Sequence, residues 1–127
     1  MSEEKKVYIC SPLFASTQEE IKENMLQARQ HMHVIKNLYG YRTYAPHAYL
    51  PELLNDQEPE ERALGLSFGM ELLKRCQILI ICGEKISEGM CKEIKAAALL
   101  GLEIYSCNPQ NAYCLTLIAN RRRADEM

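Results

Sequence analysis

The stretch "QILIICG", residues 77–83, decides the fold class of this chain. Its middle five residues, 78–82, are apolar without interruption, and no polar residue alternates with them. Such a run is typical of a strand that is covered on both faces, as in a parallel sheet between two layers of helices. We therefore predict an α/β protein in which this strand lies in the interior of the sheet.

Strand and helix patterns alternate on both sides of this run. Further strands are indicated by the β-branched and aromatic residues of "KVYIC" (6–10), "YRTYAPH" (41–47) and "LEIYSCN" (102–108). The alternation predicts a three-layer α/β/α sandwich of the flavodoxin or Rossmann type, with a parallel sheet of four or five strands. We expect the first and third strands to be adjacent, and a last helix to occupy residues 111–123.

Residue types that favour helix ends set the boundaries of three helices. Thr17 and Ser87 are expected N-caps, and a glutamate follows Thr17 three positions later, as in a capping box. Gly40 and Gly101 end the same two helices, since glycine adopts the left-handed conformation that a helix end requires. Pro59 begins the helix between them, with acidic residues around its first turn.

Composition indicates an ordinary globular domain. The chain has 127 residues, of which 47% are hydrophobic and 25% are charged, with a formal net charge of −2. We expect one domain, 1–127, whose residues 118–127 form a solvated tail. The charge gives no reason to expect a nucleic-acid polymer or an anionic membrane surface as partner. No apolar run has the length of a membrane span, and the N-terminus lacks a signal-peptide core, so we expect a cytoplasmic protein.

The six cysteines are expected to be reduced and structural. No two of them are spaced as a C-x-x-C pair, and most lie in apolar stretches. We also see no secretion signal that would direct the chain to an oxidising compartment. The three histidines do not complete a zinc pattern with them. We therefore expect no metal and no cofactor.

Three loops follow the carboxyl ends of the predicted parallel strands, where open α/β sheets bind their ligands. They are "CSPLFAS" (10–16), "APHAYLP" (45–51) and "GEKISEGM" (83–90). In the third loop, Ser87 is followed by free helix N–H groups that can accept an anion. Gly89 weakens the helix by up to about 1 kcal/mol relative to alanine. A ligand that approaches the backbone closely would account for it.

Glu93 lies one helical turn after Gly89, so a ligand over that glycine could meet its carboxylate. The alternative is a glutamate on the rim of the helix that pairs with a neighbouring cation. The candidates for such a pair are Lys92, Lys95 and Arg75.

The helix that begins at Pro59 contains two glycines, Gly65 and Gly69, on the face that also carries Arg62. Two such glycines cost up to about 2 kcal/mol, which close packing would offset. The packing partner is either the chain's own sheet or a second copy of the chain. Arg62 is a candidate anion ligand because its guanidinium fork matches a phosphate, and an exposed arginine without that role is the alternative.

Several segments together resemble the nucleoside 2-deoxyribosyltransferase-like superfamily, and most closely an uncharacterised bacterial and phage-associated branch of it. The similarity covers residues 6–107, and single motifs carry less weight than their order and spacing. The segments are "VYICSPL", Asn24 with Ala28, "YAPHAYLP", "EERALGL", "CQILIICG" and "ISEGMCKEIKAAALLG".

This resemblance implies an N-glycosidase or a deoxyribosyltransferase that acts on a nucleoside or nucleotide. In such enzymes a glutamate of this helix attacks the anomeric carbon of deoxyribose and releases the base, and that glutamate matches Glu93. Gly89 matches the first glycine of the motif, and Ser87 matches a position that contacts the sugar or phosphate. Ser11, Pro12 and Leu13 match the loop that lines the base pocket. Since these relatives build their sites across a dimer, we expect a homodimer or larger, with the Gly65–Gly69 face as candidate surface.

The sequence also departs from the family pattern at three positions. A second glycine is replaced by Cys91, an aspartate that assists the base aligns with Gly69, and an acidic residue at the start of the third strand aligns with Gln77. Glu71 or His47 could replace the missing proton donor. Two alternatives to an active enzyme therefore stay open: a nucleotide-binding module that has lost turnover, and a dimeric scaffold.

Overall fold

The computed structural model describes residues 4–13, 15–55, 57–83 and 85–119, and every structural statement below concerns these residues. Five strands and four helices alternate along them, with short 3₁₀ turns at Pro46–Ala48 and Pro109–Asn111. The order is β1 (Lys6–Cys10), α1 (Gln18–Tyr39), β2 (Arg42–Tyr44), α2 (Leu50–Leu53), α3 (Pro59–Lys74), β3 (Ile78–Cys82), α4 (Glu88–Leu100), β4 (Glu103–Asn108) and β5 (Cys114–Ala119).

The sheet has the strand order β2-β1-β3-β4-β5. The first four strands are parallel, and β1 and β3 are adjacent, as predicted. All five residues of β3 are buried, because neighbouring strands and a layer of helices on each face surround it. The expectation of a purely parallel sheet is wrong, since β5 runs antiparallel to β4 and makes the sheet mixed.

The helix predicted over residues 111–123 is also wrong. Residues 114–119 form β5, while residues 120–123 lie outside the described part of the chain. Ala112 and Tyr113 have positive φ angles of 53° and 56°, which reverse the chain after β4 and return it antiparallel. The two residues 118 and 119 of the predicted tail therefore belong to the sheet, and the rest of that tail is outside the described residues.

Helices cover both faces of the sheet and give three layers. On one face, Ala28 and Ile35 of α1 pack against Val7, Ile9 and Ile80. On the other, Leu73 of α3 and Met90 and Ala97 of α4 pack with Tyr8 and Leu79. Alternate residues of β1 therefore enter opposite cores, as the two-residue period of a strand requires. This alternation places Tyr8 and Cys10 on the side of α3 and α4.

The predicted helix ends are confirmed. The Thr17 hydroxyl accepts a hydrogen bond from the Glu20 amide at 3.2 Å, and the Ser87 hydroxyl accepts one from the Met90 amide at 3.2 Å. Gly40 and Gly101 have φ angles of 71° and 80°, in the left-handed region. The caps of α4 fix where the helix begins, and therefore how far along it Glu93 lies.

The cysteines of the chain are free thiols, as expected. Cys10, Cys76, Cys82 and Cys107 are buried, whereas Cys91 and Cys114 are exposed, so burial holds for four of the six. Within the described ranges, no three His, Cys, Asp or Glu side chains are grouped so as to hold a metal ion. No helix in these ranges is long and apolar enough to span a bilayer.

Candidate active site

Glu93 is a buried carboxylate, not a rim residue. It lies in the second turn of α4, on the face that packs on the sheet, and is only 9% exposed. The Tyr8 hydroxyl of β1 donates a hydrogen bond to its Oε2 atom. Its carboxylate thus bonds to groups from the sheet and the loop after β2, not to Lys92, Lys95 or Arg75. A buried charge is costly unless it is hydrogen-bonded, so these partners are what makes the position tenable.

The second oxygen, Oε1, faces two weaker hydrogen-bond partners, the Cys10 thiol and the His47 imidazole. The Cys10 thiol lies 3.7 Å from Oε1 and also 3.8 Å from the Met90 carbonyl oxygen. Burial, followed by the negative charge of Glu93, raises the pKa of Cys10 and that of Tyr8 well above their ordinary values. Both groups therefore stay protonated at neutral pH and act as hydrogen-bond donors.

His47 completes the surroundings of Oε1. It lies in the 3₁₀ turn after β2, and its Nε2 atom is 3.4 Å from Glu93 Oε1. Its side chain is 28% exposed, so the imidazole reaches both the buried carboxylate and solvent. Of the two suggested replacements for the missing proton donor, His47 is at the carboxylate. Glu71 is exposed and pairs with Lys74 at 3.2 Å on the outer side of α3.

The loop after β1 directly continues the strand that contacts Glu93. Ser11 is 3% exposed, and its hydroxyl has no hydrogen-bond partner among the described residues. Pro12 packs on Gly83, where a Cβ atom would lie 3.2 Å from the proline ring. The Leu13 carbonyl accepts a bond from Asn24 Nδ2 of α1 at 3.0 Å. The loop is therefore held from two sides, and the hydroxyl next to Cys10 is buried without a hydrogen-bond partner among the described residues.

At the start of α4, Ser87 has a structural role and Gly89 has open space beside it. The Ser87 hydroxyl is engaged in capping the helix. Gly89 is exposed, and the nearest atom to a Cβ built on it is Ser87 Oγ at 4.0 Å. No packing within the described chain therefore demands glycine at this position. Gly89 stands one turn before Glu93 on the same helix, as expected.

The two glycines of α3 face the chain's own residues. A Cβ atom on Gly65 would lie 3.4 Å from Leu54, and one on Gly69 would lie 3.4 Å from the Tyr8 hydroxyl. Of the two packing partners considered, the structure shows contact within the same chain. The position aligned with the family aspartate therefore adjoins the Tyr8–Glu93 pair, and glycine leaves no carboxylate there. Arg62 is exposed one turn into α3, seven residues before Gly69 and hence on the same helix face.

The other two departures from the family pattern lie away from Glu93's partners. Gln77 accepts a hydrogen bond from the Lys6 amide at 2.8 Å and lies before β3, at the opposite end of the strand from the three candidate loops. Cys91 is exposed on α4. A groove of about 370 Å³ lies between α1 and α2, and none of Glu93's hydrogen-bond partners lines it.

Sequence reasoning missed Tyr8 and Cys10 as site residues. Both were assigned only to a strand, although each carries a polar group on the face that enters a core. A buried tyrosine hydroxyl requires a hydrogen-bond partner, and alternation along β1 shows which face it joins. The need of the Tyr8 hydroxyl for a partner could have indicated a buried polar contact, but it does not identify an acceptor 85 residues further along the chain.

Comparisons with known proteins agree with the fold. A family model described as "Domain of unknown function (DUF7768)" matches residues 5–107. The structure is similar to that of the 2-deoxyribosyltransferase from the psychrotolerant bacterium Bacillus psychrosaccharolyticus, with a TM-score of 0.63 and 17% sequence identity, over 96% of this chain and 91% of that one. No curated protein matches. The chain belongs to the DUF7768 family and has a fold similar to that of a nucleoside 2-deoxyribosyltransferase.

Proposed function

We propose that this protein cleaves the N-glycosidic bond of a 2′-deoxynucleoside or its 5′-monophosphate, with Glu93 as the nucleophile. One observation carries the proposal: a buried carboxylate near the carboxyl ends of the parallel strands is contacted by a phenol, a thiol and an imidazole. The similarity in fold to a 2-deoxyribosyltransferase supports the substrate class. A carboxylate suits this reaction because it stabilises an oxocarbenium-like transition state and can then form a covalent bond.

The two carboxylate oxygens have different surroundings and therefore different roles. Tyr8 donates to Oε2 and fixes the orientation of the group. Among the described residues, Oε1 faces a weakly donating thiol and the imidazole alone, so we assign it as the oxygen that attacks. It forms a bond to the anomeric carbon, the carbon–nitrogen bond breaks, and the bonding electrons pass to the base. Water or a second base then takes the sugar and restores the carboxylate.

His47 is the proposed proton donor to the leaving base. In its protonated form it gives the base one proton, and in the next step the neutral imidazole takes one from the attacking water. Its Nε2 atom is 3.4 Å from Oε1, closer than the separation of about 5 Å between the two carboxyl groups of retaining glycosidases. The sugar therefore enters between them when the partly exposed His47 side chain rotates outward, while the backbone that carries it keeps its place beside Glu93.

The remaining predicted residues would bind the substrate. Ser11, Pro12 and Leu13 are proposed to line the base pocket. Ser87 and Gly89 are proposed to contact the sugar or phosphate at the start of α4, with Arg62 as a ligand for a phosphate. The buried, unpartnered Ser11 hydroxyl and the open space at Gly89 support these assignments. We also propose that the protein works as a homodimer.

A nucleotide-binding module without turnover is the second candidate. Gly69 favours it, because the family's aspartate position adjoins Tyr8 and carries no acid here. General acid catalysis contributes about 10² to 10⁴ in rate, so its loss could end turnover while binding remains.

A chromatographic assay of base release separates the two candidates. The parent and Glu93→Gln are incubated with the four common 2′-deoxynucleosides and with their 5′-monophosphates, and binding is measured in parallel by calorimetry. The enzyme proposal predicts that the parent releases a base while the variant binds and releases none, since an amide keeps the shape but lacks the attacking anion. Binding without base release in both proteins supports the binding module. Equal turnover by both excludes Glu93 as the nucleophile.

A further inference from the structure

One side chain of α1, that of Arg29, fastens the segment that follows His47. Its Nε atom donates to the Ala48 carbonyl oxygen at 3.0 Å, and Nη2 pairs with Glu52 Oε1 at 2.6 Å. The guanidinium also lies over the Tyr49 ring, 4.5 Å from its centroid. Three of the five residues after His47 are therefore held by the same planar group.

The contacts of Arg29 fix the position of residues 48–52 more than they stabilise the folded protein. The side chains of Arg29 and Glu52 are 30% and 58% exposed, and an ion pair so close to solvent adds little free energy. The guanidinium is a rigid fork, however, so its bonds fix directions as well as distances. The elements it holds, a 3₁₀ turn and the single-turn α2, are too short to be stable by themselves.

The segment in turn carries the imidazole that faces Glu93. Ala48, the residue whose carbonyl accepts the Arg29 bond, directly follows His47 and is itself buried. We propose that Arg29 is a positioning residue, which acts through Ala48, Tyr49 and Glu52 to hold the His47 imidazole beside Glu93. Its kinetic consequence rests on the function proposed above, whereas the link between Arg29 and His47 is independent of that function.

The chemistry of the leaving base distinguishes this role from a general effect on folding. An unmodified purine leaves readily only when it receives a proton, which His47 would supply. A purine methylated at N7 already carries the positive charge and leaves as a neutral base without that proton. A displaced His47 therefore slows release of the first kind of base and spares the second. Displacement of a catalytic group by about 1 Å can cost about 10²-fold.

The kinetic test compares Arg29→Met with the parent on 2′-deoxyguanosine and on 7-methyl-2′-deoxyguanosine, each also as its 5′-monophosphate. We expect the variant to lose about 10²-fold in the rate of base release within a single turnover on the unmodified substrate, and less than about threefold on the methylated one. This rate excludes the later attack of water, which His47 would assist equally for both substrates. Arg42→Met is the matched control, because Arg42 stacks on Tyr44 at 5.6 Å and has no described contact with residues 48–52. An equal loss in this single-turnover rate on both substrates would overturn the positioning role.

A spectroscopic test needs no activity. The chain has three histidines, so the imidazole resonances of His31, His33 and His47 can be assigned by single substitutions. In Arg29→Met we expect the His47 resonances to move and those of His31 to stay, and Arg42→Met should leave both in place. Arg29→Lys, which keeps the charge without the fork, serves if the methionine variant does not fold. Unmoved His47 resonances in a folded variant refute the inference. If the parent releases no base at all, the proposed function fails, and these resonances still decide the link.

Discussion

Removal of the Tyr8 hydroxyl should destabilise the protein through Glu93. Tyr8 is 2% exposed and Glu93 is 9% exposed, so water cannot readily replace the hydrogen bond that Tyr8→Phe deletes. A hydrogen bond to a charged group contributes about 1.5–3 kcal/mol. We expect a loss of about 2 kcal/mol in the free energy of unfolding at pH 7, which for a chain of this size lowers Tm by about 8 °C.

A double-mutant cycle isolates this interaction. Tyr8→Phe, Glu93→Gln and the double variant are unfolded with urea, and the coupling free energy is expected to be about 1.5–3 kcal/mol. Tyr105→Phe is the matched control, because its hydroxyl donates to Glu103 at 3.0 Å in a position that solvent reaches. That variant should lose less than about 1 kcal/mol. A coupling close to zero, or a Tyr8→Phe variant as stable as the parent, would refute the reasoning.

Three further predictions concern other parts of the molecule. Gly89→Ala should raise the free energy of unfolding by up to about 1 kcal/mol, since within the described ranges the atom nearest to the new methyl group is Ser87 Oγ at 4.0 Å. The same change should weaken nucleotide binding measured by calorimetry, and unchanged binding would show that no ligand approaches there. Burial lowers the pKa of His31, so below about pH 6.5 His31 binds a proton in the unfolded chain before it does so in the folded chain, and the free energy of unfolding decreases. His31→Gln should flatten this part of the plot of unfolding free energy against pH, and an unchanged slope would contradict the prediction. Light scattering should show a dimer; because Gly65 and Gly69 face the chain's own residues, we expect its surface at the exposed apolar side chains of α3, where Phe68→Glu should give a monomer, and a monomeric parent at high concentration would exclude the dimer.

The parallel part of the fold could be predicted because local physical requirements decide it. An apolar run as uniform as β3 must be covered on both faces, and capping residues with left-handed glycines set the ends of α1 and α4. The antiparallel return of β5 could not be predicted in the same way. It depends on positive φ angles at Ala112 and Tyr113, two residue types that rarely adopt that conformation. The local sequence pattern therefore does not indicate that the chain reverses its direction there.

In the candidate site, too, the part that lies within one element could be predicted, and the contacts between elements could not. Glu93 was predicted as a site residue from its spacing to Ser87 and Gly89 within one helix together with the family resemblance, and the residues alone left a rim glutamate open. Its partners Tyr8 and His47 come from β1 and from the loop after β2, and only the strand order of the sheet brings them to α4. Gly69 adjoins the same pair, since a Cβ atom there would lie 3.4 Å from the Tyr8 hydroxyl, and a helix pattern cannot reveal that contact.

The most direct test of the central claim is the mass of the protein after incubation with a nucleoside whose sugar carries fluorine at carbon 2. Fluorine destabilises the oxocarbenium-like transition state of both steps, and a good leaving base keeps the first step fast enough for the glycosyl ester to accumulate. The account predicts that the parent gains the mass of one fluorinated sugar, that peptide mapping places it on Glu93, and that Glu93→Gln gains none. Base release from the parent with no sugar on Glu93, or with the sugar on another residue, would contradict it.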